Sequence, residues 1–269
     1  MNASAAPQVS DASPLIELSD AATASVRAPE TPQVEGINWR VRHGEFWVVA
    51  GLPGSGKSGL LETVAGLVRP LRGRHALFGH EIHQLAEKEF LQARLRIGLV
   101  FSDGGRLFNH LTVAQNVALP LCYHRDCTDA EAAQRVGRLL ESLGLTDVAH
   151  HLAARLSRSW RQRAGLARAL LLQPEVLLLD NPLAGLDPRQ TRWWLDFLAV
   201  LAAGHELLDR RPLTLAVVCE DLRSWLDQAQ QFALIKEKSW LPLGGRAEVT
   251  ASAEPLVREL SAATTTDKS

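Results

Sequence analysis

Apolar residues fall along this chain with two different spacings, and the alternation between them is its main structural signal. The segments "PLIELSD" and "VEGINWRV" alternate apolar with polar positions, which predicts strands with one buried face. "EFWVVAGL" is apolar at consecutive positions and predicts a strand buried on both faces that runs into a glycine-rich turn. A helix is predicted from Lys57 to about Val68, then strands near "RHALFG" and "RIGLVF". From about 111 to 172 the pattern turns mostly helical: "TDAEAAQRVGRLLESLGL" has apolar residues at spacings of three and four, with Gly144 as its stop. Strand and helix patterns then alternate again through "EVLLLD", "RQTRWWLDFLAVLAA", "LTLAVVC", the predicted helix "DLRSWLDQAQ" and the strand "QFALIKE". This order predicts an α/β fold, a mostly parallel sheet with an antiparallel β region and an inserted α-helical subdomain over about 104–165. One domain over 15–260 is expected between tails at 1–14 and 261–269, which read as disordered; the first is small and polar and lacks the apolar core of a signal peptide.

Composition narrows the partners more than the fold. In 269 residues, 29 Lys and Arg stand against 30 Asp and Glu, so a general affinity for polyanions is not expected and nucleic acid is disfavoured as a partner. Cys122, Cys127 and Cys219 have neither the number nor the spacing of a disulfide framework or zinc site, which fits a reducing cytosol. No run approaches the roughly 18 apolar residues needed to cross a bilayer, so a membrane role would come through a partner. His80 and His83 fall on a surface turn with spacing unlike a helical metal pair, and of Trp193 and Trp194 at least one is expected to face the core.

The chemistry starts at "GLPGSGKS", which fits the phosphate-binding pattern G-x-x-x-x-G-K-[ST] between a buried strand and a helix. Gly51, Gly54 and Gly56, with Leu52, Pro53 and Ser55 between them, let the backbone curl so that its amides point inward at a helix N-terminus. Lys57 is expected to reach the β- and γ-phosphates of ATP or GTP, and the Ser58 hydroxyl to ligate Mg²⁺. Asp180, at the end of the buried strand "VLLLD", is the carboxylate such a metal site needs.

With both halves of the site located, the chain resembles the nucleotide-binding subunit of an ABC transporter, from about 15 to 260. "RQRAGLARALLLQPEVLLLD" resembles that family's run from helix to Walker B strand, and "AGLDP" resembles its D-loop with Asp187 in place. Within the family, "GGRLFNHLTVAQNVALPL" and "SAEPLVREL" look most like the ATPase subunits of Mla/Mce-type lipid transporters, and short similar stretches occur in amino-acid and lipoprotein exporters. The resemblance implies a P-loop (RecA-like) core, ATP and Mg²⁺ as ligands, and an integral membrane permease as partner. It also implies pairing as a homodimer or as a heterodimer with a second ATP-binding subunit, on the inner face of the cell membrane.

The departures from the family pattern fall on the reacting groups. The glutamate expected after Asp180 is Asn181, the switch histidine is Glu220, and the Q-loop glutamine is Ser102, with one extra residue in "SDGGRLF". The signature "LSGGQ" reads "LSRSW", where Leu156 and Ser157 are kept and Arg158, Ser159 and Trp160 are not. Arg158 either points to solvent or contacts a phosphate. No aromatic stands in "ASVRAPETPQ", where an adenine-stacking ring is expected. General base catalysis is worth about 10² to 10⁴ in rate, and an amide cannot take the proton, so binding should survive while turnover is weak or absent. Two rivals remain at this stage: a soluble ATP-operated regulatory clamp outside transport, and a competent ATPase whose base has moved to Glu220.

Overall fold

The computed structural model describes residues 13–102, 106–124 and 128–262. Among the described residues, ten strands form one sheet in the order β5-β4-β1-β2-β10-β9-β3-β8-β7-β6. Its parallel core joins β3 (Phe46–Gly51), β6 (Ile97–Val100), β7 (Val176–Asp180), β8 (Thr214–Cys219) and β9 (Gln231–Lys236). The antiparallel region joins β1 (Ile16–Thr23), β2 (Val34–Val41), β4 (Arg72–Leu77) and β5 (His80–Glu81), and β10 (Ser239–Gly244) links it to β9. The expected α/β class is therefore the observed one.

Consecutive apolar residues in the parallel strands are explained by two cores, because successive side chains of a strand point to opposite faces. Leu177, Leu179, Leu215, Val217, Phe232 and Leu234 enter one core, and Val176, Leu178, Ala216, Val218, Ala233 and Ile235 the other. The first core is closed by α3 (Val113–His124), α4 (Asp129–Ser142), α5 (Arg158–Leu170) and α6 (Pro188–Ala203). The second lies between the parallel and antiparallel regions and encloses α1 (Lys57–Val64). Trp194 on α6 is fully buried in the first core, as expected of that tryptophan pair.

Several boundaries differ from the pattern reading. Helix α1 stops at Val64, because Gly66 takes a left-handed φ of 68°. There Leu67 N donates to Glu62 O and Gly66 N to Thr63 O, a Schellman ending that the count of apolar residues could not place. The helix expected over 221–230 is only a 3₁₀ turn, Arg223–Trp225. Asp221 caps it by accepting from Arg223 N, Trp225 is buried against Phe46, and Gln230 already bonds both backbone groups of Phe46 to start β9, which leaves no length for a helix. Helix α2 (Glu87–Leu95) buries only Ala93 and so lacks an apolar stripe. The C-terminal helices α7 (Arg246–Ala251) and α8 (Pro255–Ser261) close the chain, α8 taking in Ser261. Most of the expected tails, Cys127 and the glycines of "SDGGRLF" lie outside the described residues. Among the described residues no helix is long and apolar enough to cross a membrane.

Candidate nucleotide site

Strand β3 delivers the glycine-rich turn to the carboxyl edge of the parallel strands, where ligands of open α/β sheets bind. Gly56 caps α1 at φ 100°, and a Cβ there would lie 2.8 Å from Val34 Cγ2. A Cβ on Gly51 would meet Ser55 Oγ at 2.6 Å and Ile235 O at 2.9 Å, so the turn closes only with glycine at these points. Leu52, Pro53 and Gly54 form its exposed crown, and the Ser55 hydroxyl is buried without a protein partner.

Lys57 is 6% exposed, and its Nζ donates to Gly51 O at 2.9 Å and Leu52 O at 2.7 Å. Its third neighbour is Glu220 Oε1 at 3.4 Å, brought in from the end of β8. Burial lowers the lysine from its ordinary pKa, and the Glu220 carboxylate opposes that shift. Ser58 Oγ donates to Asp180 Oδ2 at 2.8 Å. Burial raises the Asp180 pKa, while hydrogen bonds from Ser58 and Ser102 and the charge of Lys57 pull it down. The Q-loop position, although a serine, thus lies close enough to the carboxylate that ends β7 to act on it. Cys219, just before Glu220, is buried and its thiol is pushed up to about 12, which makes it inert packing.

Of the remaining positions, Asn181 adjoins this cluster, whereas Asp187 and the signature-like run lie at the starts of α6 and α5. Asn181 follows Asp180 directly with a left-handed φ of 47°, its N donating to Val218 O at 2.8 Å. Asp187 caps α6, its Oδ1 accepting from the backbone of Arg189 and Gln190 at 2.9 Å each. Ser157 caps α5 at the signature-like run, and Ser159 Oγ accepts from Gln190 of α6 at 3.1 Å. Leu156 and Trp160 pack against the first core. Arg158 is exposed but turned back on its own chain, with Nη2 3.5 Å from Ser102 O. The pattern reading missed Glu62, a nearly buried carboxylate on α1 that accepts from Val26 N at 2.9 Å and pairs with Arg106 at 3.1 Å. Its place four residues after Ser58, on the same helix face, was the available signal.

These residues fit a nucleoside polyphosphate with a divalent cation. The turn has no room for a Cβ at Gly51 or Gly56, Lys57 offers a buried ammonium, and Ser58 with Asp180 is an oxygen pair of the kind Mg²⁺ takes beside phosphate oxygens. A family model described as "ABC transporter" matches residues 34–184. The chain belongs to the ABC transporter family.

Among ABC proteins it is 36% identical over 193 residues to the methionine import ATP-binding protein MetN of Carboxydothermus hydrogenoformans, across 71% of this chain and 54% of that one. It is 30% identical over 225 residues to mkl of Mycobacterium leprae, named for ribonucleotide transport, across 84% and 63%. The chain spans about half the length of the MetN relatives it matches. CbiO1 of Clostridium perfringens, part of the ABC transporter complex cbiONQ, shares the fold at a TM-score of 0.74 and 25% identity, over 90% of this chain and 92% of that one. The ATP-binding cassette MJ0796, dimeric and bound to ADP and Pi, does so at 0.73 and 26%, over 86% and 99%.

Proposed function

We propose that this ABC cassette binds Mg-ATP, pairs with a second ATP-binding subunit beneath an integral membrane permease, and has weak or absent hydrolysis of its own. The reading rests above all on one juxtaposition: Lys57, Ser58 and Asp180 form a complete phosphate and metal grip, and the next residue, Asn181, is an amide where a base would stand. Lys57 would bind β- and γ-phosphate oxygens as a charge-assisted donor, and Ser58 and Asp180 would hold Mg²⁺. Held by Ser58 and Asp180, Mg²⁺ would supply positive charge against the phosphates. Asn181 can orient a water but cannot take its proton, which forgoes roughly 3 to 5 kcal/mol of barrier lowering.

Glu220 is a poor replacement base, because its carboxylate is engaged with the Lys57 ammonium. Arg158 and Ser159 carry side chains where a close helix N-terminus would need bare backbone, so a closed dimer of two such chains would be slow on both sides. Paired with an intact subunit, the partner's own base would face "LSRSW".

The names of the relatives support a permease-coupled role. Lipid is the cargo suggested by the resemblance of residues 104–121 and 252–260, whereas the relatives above are named for methionine and ribonucleotide, so they lend lipid no support. Uptake assays with the co-expressed permease, offering lipid and methionine in turn, decide the cargo. Titration with a fluorescent ATP analogue and Mg²⁺ tests the binding half of the proposal. No binding at millimolar nucleotide would sink it. Co-fractionation with membranes only when the permease is present tests the docking half, and equal membrane association in cells without it would count against docking.

A further inference from the structure

Glu220 and Lys57 form an unequal pair. The lysine side chain is 6% exposed and the glutamate 40%, so a buried cation is met by a carboxylate reaching in from the solvent side. An ammonium has three hydrogens. Two are held by Gly51 O and Leu52 O, and the carboxylate stands at 3.4 Å to take the third. A phosphate oxygen that approaches Lys57 therefore has to displace Glu220 or share the cation with it.

The cost falls unevenly along a polyphosphate. In a P-loop the backbone amides cradle the inner phosphates, while the lysine reaches the β- and γ-phosphates. A triphosphate brings both its β- and γ-phosphates to the lysine and a diphosphate only its β-phosphate, so the Glu220 charge there opposes the triphosphate more. The triphosphate also carries the greater negative charge. We propose that Glu220 is a specificity-determining residue that tilts this site toward nucleoside diphosphate, so the chain holds Mg-ADP more tightly than Mg-ATP. This rests on the reading that the P-loop binds nucleotide. It implies a cassette whose diphosphate form is favoured while the carboxylate stays on Lys57.

The test is calorimetric titration of the full chain with Mg-ADP and Mg-ATP, for wild type, Glu220→Gln and Glu220→Asp. Wild type should prefer ADP by roughly tenfold, the order expected of one partly exposed like charge at short range. Glu220→Gln should tighten ATP more than it tightens ADP and close most of that gap, whereas Glu220→Asp should keep the wild-type preference. A gain in affinity for one nucleotide cannot come from misfolding. If both nucleotides bind and Glu220→Gln leaves their ratio unchanged, the specificity role is overturned while nucleotide binding stands. If wild type binds neither, the nucleotide reading fails and takes this inference with it.

Discussion

Two neighbouring parts of the sheet edge carry opposite chemistry. The phosphate side, Lys57, Ser58 and Asp180, has the residue types and contacts that a phosphate and Mg²⁺ grip requires. The reacting side, Asn181 and Glu220, follows the ends of β7, which also carries Asp180, and β8, yet offers an amide where a base is needed and a carboxylate against Lys57. Backbone placement is set by the two cores and the parallel register, which are indifferent to the side chain just past a strand end. Fold retention therefore says little about turnover, while the contact between Lys57 and Glu220 couples the two sides.

The comparison breaks most easily at the lysine. Lys57→Ala should weaken nucleotide binding about a hundredfold or more, because a buried charge-assisted donor is lost, and fluorescent-analogue titration reads it directly. Asp180→Asn should weaken binding by roughly tenfold in Mg²⁺ and hardly at all in chelator, as expected of a metal-side residue.

The same substitution should raise the melting temperature, by roughly 2–4 °C for each kcal/mol relieved in a domain of this size. Burial raises the Asp180 pKa in the folded state, so its contribution to stability is fully present below the ordinary carboxylate range and is lost as pH rises through the folded value. At neutral pH the ionised group opposes folding, and an amide removes that opposition. A pH series of thermal melts should accordingly show the variant's advantage growing as pH rises through and above the ordinary carboxylate range.

On the reacting side, Asn181→Glu should raise ATP turnover by no more than about tenfold, well short of the 10² to 10⁴ that a positioned base supplies, because the signature-like run is unchanged. The smallest effect is purely structural. Asp187→Ala removes the cap of α6 and should cost about 1 kcal/mol in denaturant unfolding, with nucleotide affinity unchanged.

How much of this was legible in the sequence depended on how local each feature is. The phosphate turn is eight consecutive residues with fixed backbone demands, and Asp180 ends an apolar run, so both could be read directly. The pairing of Lys57 with Glu220 could not, because it needs β3 and β8 to be sheet neighbours, and only the crossover topology makes them so. Strand β10 was missed because its hairpin turns through Glu237 and Lys238, both at positive φ, without the Asn-Gly or Asp-Gly pair that usually marks such a turn. The short turn over 223–225 looked helical because Leu222, Trp225 and Ala229 are spaced like a helix face, yet their burial serves a loop that starts β9.

The most direct test of the central claim is steady-state ATP hydrolysis by the purified chain at saturating Mg-ATP, compared with a protein-free blank and with Glu220→Gln. The account predicts a wild type that binds nucleotide but turns over at the rate of the blank, with no further loss in Glu220→Gln. Wild-type turnover far above the blank that collapses in Glu220→Gln would contradict it and make Glu220 the relocated base.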